Sequence, residues 1–335
     1  MSRVRSTGVG LLLAGAVVLA APAESIAAQN RAQADAGAYP QRPVRFIIPY
    51  PAGGATDVLS RLVAERLAAR LGQPVVGDNR GGAAGRIGLE LLSKSPPDGY
   101  TISLPSSGMA ISVTLIPHLP YNPLRDFAPV SLVADIPAII VTPATFPAAT
   151  LKEFIALAKA KPGAYLYGSG GVGATNHIIA ELFQLVAGVR LTHVPYKSAA
   201  GGLPDVISGQ IQVMFIGPPA AAPHVQAGRL RALAVVYHKR FAGMPDVPTT
   251  AEAGLPGVDS PTWYAIVVPA GTPKAIVGRL NSEIVAILKS PEMARQLLLI
   301  GAEPRPLSPE ESAAFIRREV DRWARVIKAA NVKAE

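Results

Sequence analysis

Short apolar runs alternate with longer amphipathic segments along most of the chain. Apolar runs of roughly four to eight residues between Gly and Pro predict buried strands, and apolar positions at i, i+3 and i+4 predict helices. The predicted strands are Val44–Ile48, Val75–Val76, Thr101–Leu104, Val130–Ala134, Ala138–Val141, Tyr165–Tyr167, Thr192–Val194, Gln212–Ile216, Leu230–Val236 and Trp263–Val268. The predicted helices are Asp57–Leu71, Gly85–Lys94, Leu151–Lys161, Thr175–Ala187, Gly201–Ser208, Pro218–Ala227, Pro273–Lys289, Pro291–Ile300 and Pro309–Ala330. This alternation predicts an α/β fold with mainly parallel sheets.

Two stretches of the chain, 121–129 and 246–261, are typical of crossings between domains. The second is rich in Pro and Gly, and each stretch leads into predicted strands. We therefore predict one lobe from residues 138–256 and a second lobe from residues 39–137 plus 257–335. A double crossing of this kind places a hinged cleft between the lobes, where ligands usually bind.

The N-terminus has the parts of an export signal. Arg3 and Arg5 precede an apolar stretch, Val9–Ala21, which is followed by small residues. That stretch is shorter than the ~20 residues needed to cross a bilayer, and a cut after Ala27 or Ala28 fits the small-residue rule of signal peptidase. We predict a cleaved signal peptide over 1–28, a flexible leader over 29–38 and export to the periplasm. An uncleaved membrane anchor is the alternative.

Composition narrows the classes of function. The chain has 49% hydrophobic and 16% charged residues, as globular proteins do, and it has no cysteine for a disulfide or for lipid attachment. Its net charge is +9, but Lys and Arg are spread along helices and aromatic residues make up only 6%, so we expect no nucleic-acid partner. The five histidines lack metal-binding spacings, and we expect neither metal nor cofactor.

A glycine-rich turn follows the first predicted strand. Gly53 and Gly54 stand just before Thr56 and Asp57, where the next helix is predicted to begin. Glycine permits positive φ, and the first N–H groups of a helix lie at the positive end of its dipole, so this turn can hold an anion. Alternatively, Thr56 or Asp57 caps the helix and Asp57 pairs with Arg61 at the i,i+4 spacing, which makes the turn an ordinary connection.

A second glycine-rich turn covers residues 167–177. Its glycines fall in the G-x-G-x-x-G spacing of a dinucleotide fingerprint. The acidic residue that this fingerprint requires about 20 positions later is missing, because His193 stands there. The turn can still hold an anion, with Thr175 or Asn176 capping the helix and Ser169 supplying a hydroxyl.

A third turn places Ser106 and Ser107 after the predicted strand Thr101–Leu104. Ligands of open α/β sheets bind at such strand ends, so these hydroxyls either orient a carboxylate or cap their own backbone. Catalytic patterns are poor, since Ser169 lacks the G-x-S-x-G surroundings of a nucleophile, and we expect no enzyme. The enzymatic alternative is an exported small-ester hydrolase, which requires Ser169 Oγ within hydrogen-bonding distance of His177.

Several motifs of the mature chain occur in a specific order. They are Tyr39-Pro40, the PYPAGGATD of 49–57, the GGAAG of 81–85, the PPDGYT of 96–101, the DFAPV of 126–130, the glycine turn of 168–177 and the HVPYK of 193–197. With these motifs, from about Tyr39 to Val332, the chain resembles the extracytoplasmic substrate-binding proteins of tripartite tricarboxylate transporters, the Bordetella uptake gene family.

The resemblance implies a periplasmic-binding-protein-like (Venus flytrap) fold, in which two α/β lobes close on a ligand. It also implies that backbone N–H groups and ordered waters hold a ligand carboxylate. Carried over by position, the predicted ligand-binding residues are Tyr50, Gly53, Gly54, Thr56, Asp57, Ser106, Ser107, Ser169, Gly170, Gly171, Ala174, Thr175 and Asp205. For Asp205, both a ligand contact and a helix cap are open.

The chain departs from the usual family pattern near this site. Phe is usual where Tyr50 stands, Pro where Ala52 stands, and Gly often follows the VPYK stretch, where this chain has Ser198. We expect a monomeric periplasmic protein that captures a small mono- or dicarboxylate and docks on the membrane permease of a tripartite transporter. A subunit that senses the same ligand for a membrane sensor kinase is the alternative.

Overall fold

The computed structural model describes residues 39–333, so the predicted signal peptide and leader lie outside the described residues. The strands are β1 (Val44–Ile48), β2 (Val75–Asn79), β3 (Thr101–Ser103), β4 (Phe127–Ile136), β5 (Ala138–Pro143), β6 (Leu166–Ser169), β7 (Thr192–Pro195), β8 (Val213–Ile216), β9 (Leu230–Val236), β10 (Thr262–Pro269) and β11 (Glu303–Pro304). The helices are α1 (Ala55–Leu71), α2 (Arg86–Ser93), α3 (Gly108–Leu115), α4 (Leu151–Ala160), α5 (Thr175–Ala187), α6 (Leu203–Ile207), α7 (Pro218–Gln226), α8 (Lys274–Leu288), α9 (Pro291–Leu299) and α10 (Pro309–Ala329).

Within the described range, a first sheet has the strand order β11-β4-β10-β3-β1-β2. β1 runs parallel to β2 and β3, whereas β10 runs antiparallel to β3 and β4. Apart from Arg45, the residues of β1 are buried, because helices cover the sheet. α1 and α2 contact β1, while α8 and α10 contact β4.

A second sheet has the order β7-β6-β8-β5-β9. β6 runs parallel to β7 and β8, and β5 runs antiparallel to β8 and β9. Both sheets are therefore mixed, and the prediction of mainly parallel sheets was wrong. The reason is the connectivity, because strands that enter or leave a sheet at a crossing run against those of the βαβ units.

The chain passes between the sheets twice. Pro137 alone separates β4 in the first sheet from β5 in the second, and the return lies between β9 and β10. Strands of the first sheet thus come from residues 44–136 and 262–304, and those of the second from residues 138–236. The predicted lobe boundaries are compatible with this division and stay a prediction.

Two elements were absent from the sequence prediction. α3 begins with Gly108 and contains the β-branched residues Ile111, Val113 and Thr114, which are weak helix formers, so its sequence does not predict a helix. Packing against α10 outweighs this low helix propensity. β11 is a two-residue strand at the sheet edge, too short to give a pattern. β2 runs three residues beyond its predicted end because Gly77–Asn79 continue the parallel pairing with β1.

Two tryptophans share one buried acceptor beside the first sheet. Trp263 Nε1 donates to Glu319 Oε2 at 2.9 Å, and Trp323 Nε1 donates to the same oxygen at 3.1 Å. Both indoles are fully buried, and Glu319 is almost so. Because Trp263 lies on β10 and Trp323 on α10, this carboxylate joins the C-terminal helix to the sheet.

In the part of the chain that is described, no helix is long and apolar enough to cross a membrane.

We predict that Glu319→Ala lowers the free energy of unfolding by about 2–5 kcal/mol, because two buried indole N–H groups lose their acceptor. Urea denaturation of the mature protein measures this change. Glu319→Gln keeps an acceptor oxygen and should lose less. The exposed Asp321→Ala on the same helix is the matched control, with a change within about 0.5 kcal/mol. A Glu319→Ala variant as stable as this control would contradict the assigned role.

Candidate functional site

A cavity of about 710 Å³ lies between the two sheets, at the starts of α1, α5 and α7. Its walls come from both sheets. The lining residues are Tyr50, Pro51, Ala52, Gly53, Gly54, Ala55, Thr56, Ser106, Ile136, Pro137, Ala138, Gly170, Ala174, Thr175, Asn176, Ile179, Ser198, Ala199, Phe215, Ile216, Gly217, Thr262 and Tyr264. None of these described lining residues has a charged side chain.

The first glycine turn leads into α1 without a side-chain cap. Gly53 has a φ of 83°. The N-cap of α1 is Gly54, and no side chain accepts a hydrogen bond from the first N–H groups of the helix as a cap. The alternative in which Thr56 or Asp57 caps this helix was therefore wrong. Because the first N–H groups of a helix have no intrahelical acceptor, the start of α1 presents backbone donors at the cavity wall.

Asp57 holds this turn from behind instead of lining the cavity. Its Oδ2 accepts from the Gly53 N–H at 3.0 Å, and its Oδ1 accepts from Arg61 Nε and Asn79 Nδ2, both at 3.0 Å. The pairing with Arg61 agrees with the predicted spacing. Burial raises the pKa of Asp57, but the hydrogen bonds from Arg61, Gly53 and Asn79 outweigh burial and lower the pKa to about 2. The carboxylate is thus ionised and fully engaged.

The second glycine turn uses most of its own N–H groups. Gly170 N–H donates to Asn176 Oδ1 at 3.2 Å, Gly171 N–H to Ser169 Oγ at 3.1 Å and Gly173 N–H to His177 Nδ1 at 3.0 Å. The N–H groups of Gly170 and Gly171, predicted to bind ligand, are therefore already occupied, as is that of Gly53.

α5 begins directly after this turn. Its N-cap is Ala174, again with no side-chain hydrogen bond, so the prediction that Thr175 or Asn176 caps it was wrong. Ala174, Thr175 and Asn176 all line the cavity. Asn176 Oδ1 is used by Gly170, but its Nδ2 is buried and has no hydrogen-bond partner among the described residues. A second helix start thus faces the cavity, with an unused amide donor beside it.

Ser169 belongs to a buried cluster behind the turn. Ser169 Oγ lies 2.6 Å from His193 Nε2, and the His177 and His193 rings stack with centroids 4.1 Å apart. Ser169 Oγ forms no hydrogen bond with His177, whose Nδ1 accepts from Gly173, so the Ser169–His177 pair that the hydrolase alternative requires is not formed. Burial and then the neighbouring His193 lower the pKa of His177 to about 4. A neutral His177 therefore braces the turn.

The serine turn contributes one lining residue. Ser106 Oγ lies 2.7 Å from the Tyr50 hydroxyl, and both residues line the cavity. Ser107 is fully buried and is not a lining residue; its Oγ lies 3.3 Å from Thr175 Oγ1, which joins this turn to the start of α5. Asp205 also lies away from the cavity, where it accepts a hydrogen bond from the Tyr196 hydroxyl.

Eight predicted site residues therefore line the cavity, and five do not. Those on its wall are Tyr50, Gly53, Gly54, Thr56, Ser106, Gly170, Ala174 and Thr175. Asp57, Ser107, Ser169, Gly171 and Asp205 stand behind it or elsewhere, because their polar groups bind other parts of the protein.

The prediction missed several lining residues. Tyr264 and Thr262 come from β10, which is inserted between β3 and β4 from far along the chain. Phe215 lies within β8, and Asn176 was considered only as a cap. Ser198 also lines the cavity, and in the sequence it stood out only as a departure from the family pattern.

Within residues 39–333, no three His, Asp or Glu side chains are grouped as metal ligands.

We predict that Asp57→Asn lowers the free energy of unfolding at neutral pH by about 1.5–3 kcal/mol, because hydrogen bonds to a charged acceptor are weakened. The folded-state pKa of Asp57 lies below its ordinary value of 3.8, so its contribution is present above about pH 4 and is lost as the pH falls toward 2. Urea denaturation between pH 7 and 2 should show the wild-type advantage shrinking over that interval. An advantage that is constant down to pH 2 would contradict this assignment.

The sequence matches known proteins over most of its length. Residues 59–332 match the sequence model described as TctC, tripartite tricarboxylate transporter family receptor. Protein BugT of Bordetella pertussis is 38% identical over 304 residues, which cover 90% of this chain and 93% of BugT.

Solved structures show the same fold. R. palustris Rpa4515 with adipate is 36% identical with a TM-score of 0.77, covering 88% of this chain and 99% of that one. The periplasmic binding protein BugD is 32% identical with a TM-score of 0.74, covering 89% and 100%. MatC (Rpa3494) from Rhodopseudomonas palustris with bound malate is 30% identical with a TM-score of 0.73, covering 86% and 100%.

These matches confirm both the predicted family and the two-lobed periplasmic-binding-protein fold. The family is one of receptors, and relatives of this chain have been seen with small carboxylates. The chain belongs to the tripartite tricarboxylate transporter receptor family, TctC.

Proposed function

We propose that this protein captures a small organic mono- or dicarboxylate in the periplasm for the membrane permease of a tripartite tricarboxylate-type transporter. One observation carries the proposal. A cavity with no charged side chain among its described lining residues faces the uncapped starts of two helices, α1 beside the first sheet and α5 beside the second. Backbone N–H groups at a helix start, at the positive end of its dipole, favour anions.

The polar groups of the cavity suit carboxylate oxygens. Asn176 Nδ2 is an unused donor, and the hydroxyls of Thr175 and Ser198 adjust to donate or accept. Among the described lining residues, no carboxylate competes with or repels the ligand, and no cation neutralises it. An anion is therefore held by dipoles that are fixed before it binds, which reduces the cost of ordering the site.

The remaining walls suit a short carbon skeleton. Ile136, Ile179, Phe215 and Ile216 add apolar surface to the cavity wall. Donors at the two helix starts together with this apolar surface fit the two ends and the carbon chain of a dicarboxylate. Relatives bound to adipate and to malate, both dicarboxylates, support this class. The predicted signal peptide and the family support export and a permease partner.

The proposal predicts that small carboxylates stabilise the mature protein against heat, by about 2.7 kcal/mol at a ligand concentration of 100 times Kd. Scanning fluorimetry with adipate, malate and a wider carboxylate panel, on protein refolded to remove any bound ligand, measures the shift. Adipamide, a neutral analogue, should give none. A panel in which no carboxylate raises the melting temperature would contradict the proposal.

Asn176→Asp tests the placement of the ligand. It keeps an oxygen for the Gly170 N–H, removes the unused donor and adds a negative charge at the start of α5. We expect about 10–100-fold weaker carboxylate binding by calorimetry, since a hydrogen bond to a charged group is worth about 1.5–3 kcal/mol. Asn331→Asp, at an exposed position after α10, is the matched control. Equal affinity of the two variants would contradict the placement.

A further inference from the structure

A second cavity, of about 240 Å³, lies beside the proposed ligand site. Like the first, it has walls from both halves of the fold. One wall is the 3-10 turn Ala83–Gly85 with the start of α2, another is α3, and the third is the tip of the second glycine turn at Val172 and Gly173. None of its described lining residues lines the larger cavity.

Tyr50 reaches from the wall of the larger cavity to a residue that lines the smaller one. It lines the larger one, where its hydroxyl lies 2.7 Å from Ser106 Oγ. The hydroxyl end of the Tyr50 ring packs on Gly85 and Gly108 at the edge of the smaller cavity. A Cβ placed on Gly85 would lie 3.2 Å from the Tyr50 Cζ, and one on Gly108, a lining residue of the smaller cavity, would lie 3.3 Å from the hydroxyl. The ring therefore occupies the space that side chains at Gly85 and Gly108 would take.

The smaller cavity suits a carbon chain with an anionic end. Ile111, Leu115 and Ile116 make it apolar, and Arg86 is its one charged lining residue within the described range. The Arg86 Nε donates to the Ala83 carbonyl at 3.1 Å, which fixes the root of the guanidinium at the cavity edge. The larger cavity has no such cation, so the two spaces differ in chemistry.

The backbone of this wall is strained. Ala83 and Ala84 have φ values of 48° and 56°, in the left-handed region that costs residues with a Cβ about 1–2 kcal/mol each. Strain of this kind is kept where the surrounding structure requires it, and it is frequent at ligand sites. This backbone conformation turns the GGAAG segment, residues 81–85, around the end of the Tyr50 ring, and Ala83 and Ala84 form part of the wall of the smaller cavity.

We infer that Tyr50 determines ligand length: its ring ends the carboxylate site, and the smaller cavity is the space that a longer carboxylate enters when the ring is removed. This inference rests on the proposed function. Phe in place of Tyr50 would keep the ring as the end wall and release only the Ser106 hydroxyl. Alanine would join the two spaces and bring Arg86 within the ligand's reach.

Calorimetry with linear α,ω-dicarboxylates of four to ten carbons tests the inference. We expect the affinity of wild type and Tyr50→Phe to peak at the same chain length and to fall for longer chains. For Tyr50→Ala the peak should move to longer chains, with about a fourfold gain for each methylene that enters the smaller cavity. Tyr50→Leu, with a milder loss of packing, should shift the peak in the same direction if the alanine variant fails to fold.

Filling the smaller cavity provides the matched control. Val172→Phe should return the peak of Tyr50→Ala to the wild-type length and leave the peak of wild type unchanged, because the ring already closes that space. An unshifted peak in both Tyr50→Ala and Tyr50→Leu, with wild type binding dicarboxylates, would overturn the inference and leave the proposed function standing. Wild type that binds no carboxylate of any length would overturn the proposed function itself.

Discussion

Three helices begin at the wall of the larger cavity with no side chain to cap them. Because α7 starts with two prolines, which have no N–H, the first N–H groups that need acceptors are those of α1 and α5. Water or a ligand anion must supply those acceptors, because the lining residues offer no carboxylate. This requirement explains why the site is built from glycine turns at helix starts rather than from charged side chains. In the proposed function, the same N–H groups bind an anion with no cationic side chain among the described lining residues.

Such a site works only if the turns keep their shape, and each turn is held from the side away from the cavity. In the first, Asp57 binds the Gly53 N–H and is itself held by Arg61 and Asn79. In the second, Ser169 and His177 bind the N–H groups of Gly171 and Gly173. The side chains of Asp57, Ser169 and His177 thus position the backbone of the two turns. In the proposed function, the backbone N–H groups at the helix starts contact the ligand.

The sequence was sufficient for the α/β class, most elements and the two glycine turns, because apolar periodicity and Gly punctuation are local signals. β1, β9 and α5 were predicted with their observed bounds. It was not sufficient to show which N–H groups remain available, since the bond between Gly170 and Asn176 depends on the geometry of the turn. Tyr264 was missed because the insertion of β10 between β3 and β4 is a property of the whole sheet.

We propose that backbone N–H groups at the starts of α1 and α5 bind the anion. Amide chemical shifts of ¹⁵N-labelled, deuterated protein, followed while a binding carboxylate is added to saturation, test it directly. We expect the largest downfield amide-proton shifts on Ala55–Asp57 and Thr175–His177, because hydrogen bonds to a carboxylate deshield those protons. Saturation that leaves these amides unchanged while signals elsewhere move would contradict this mode of binding.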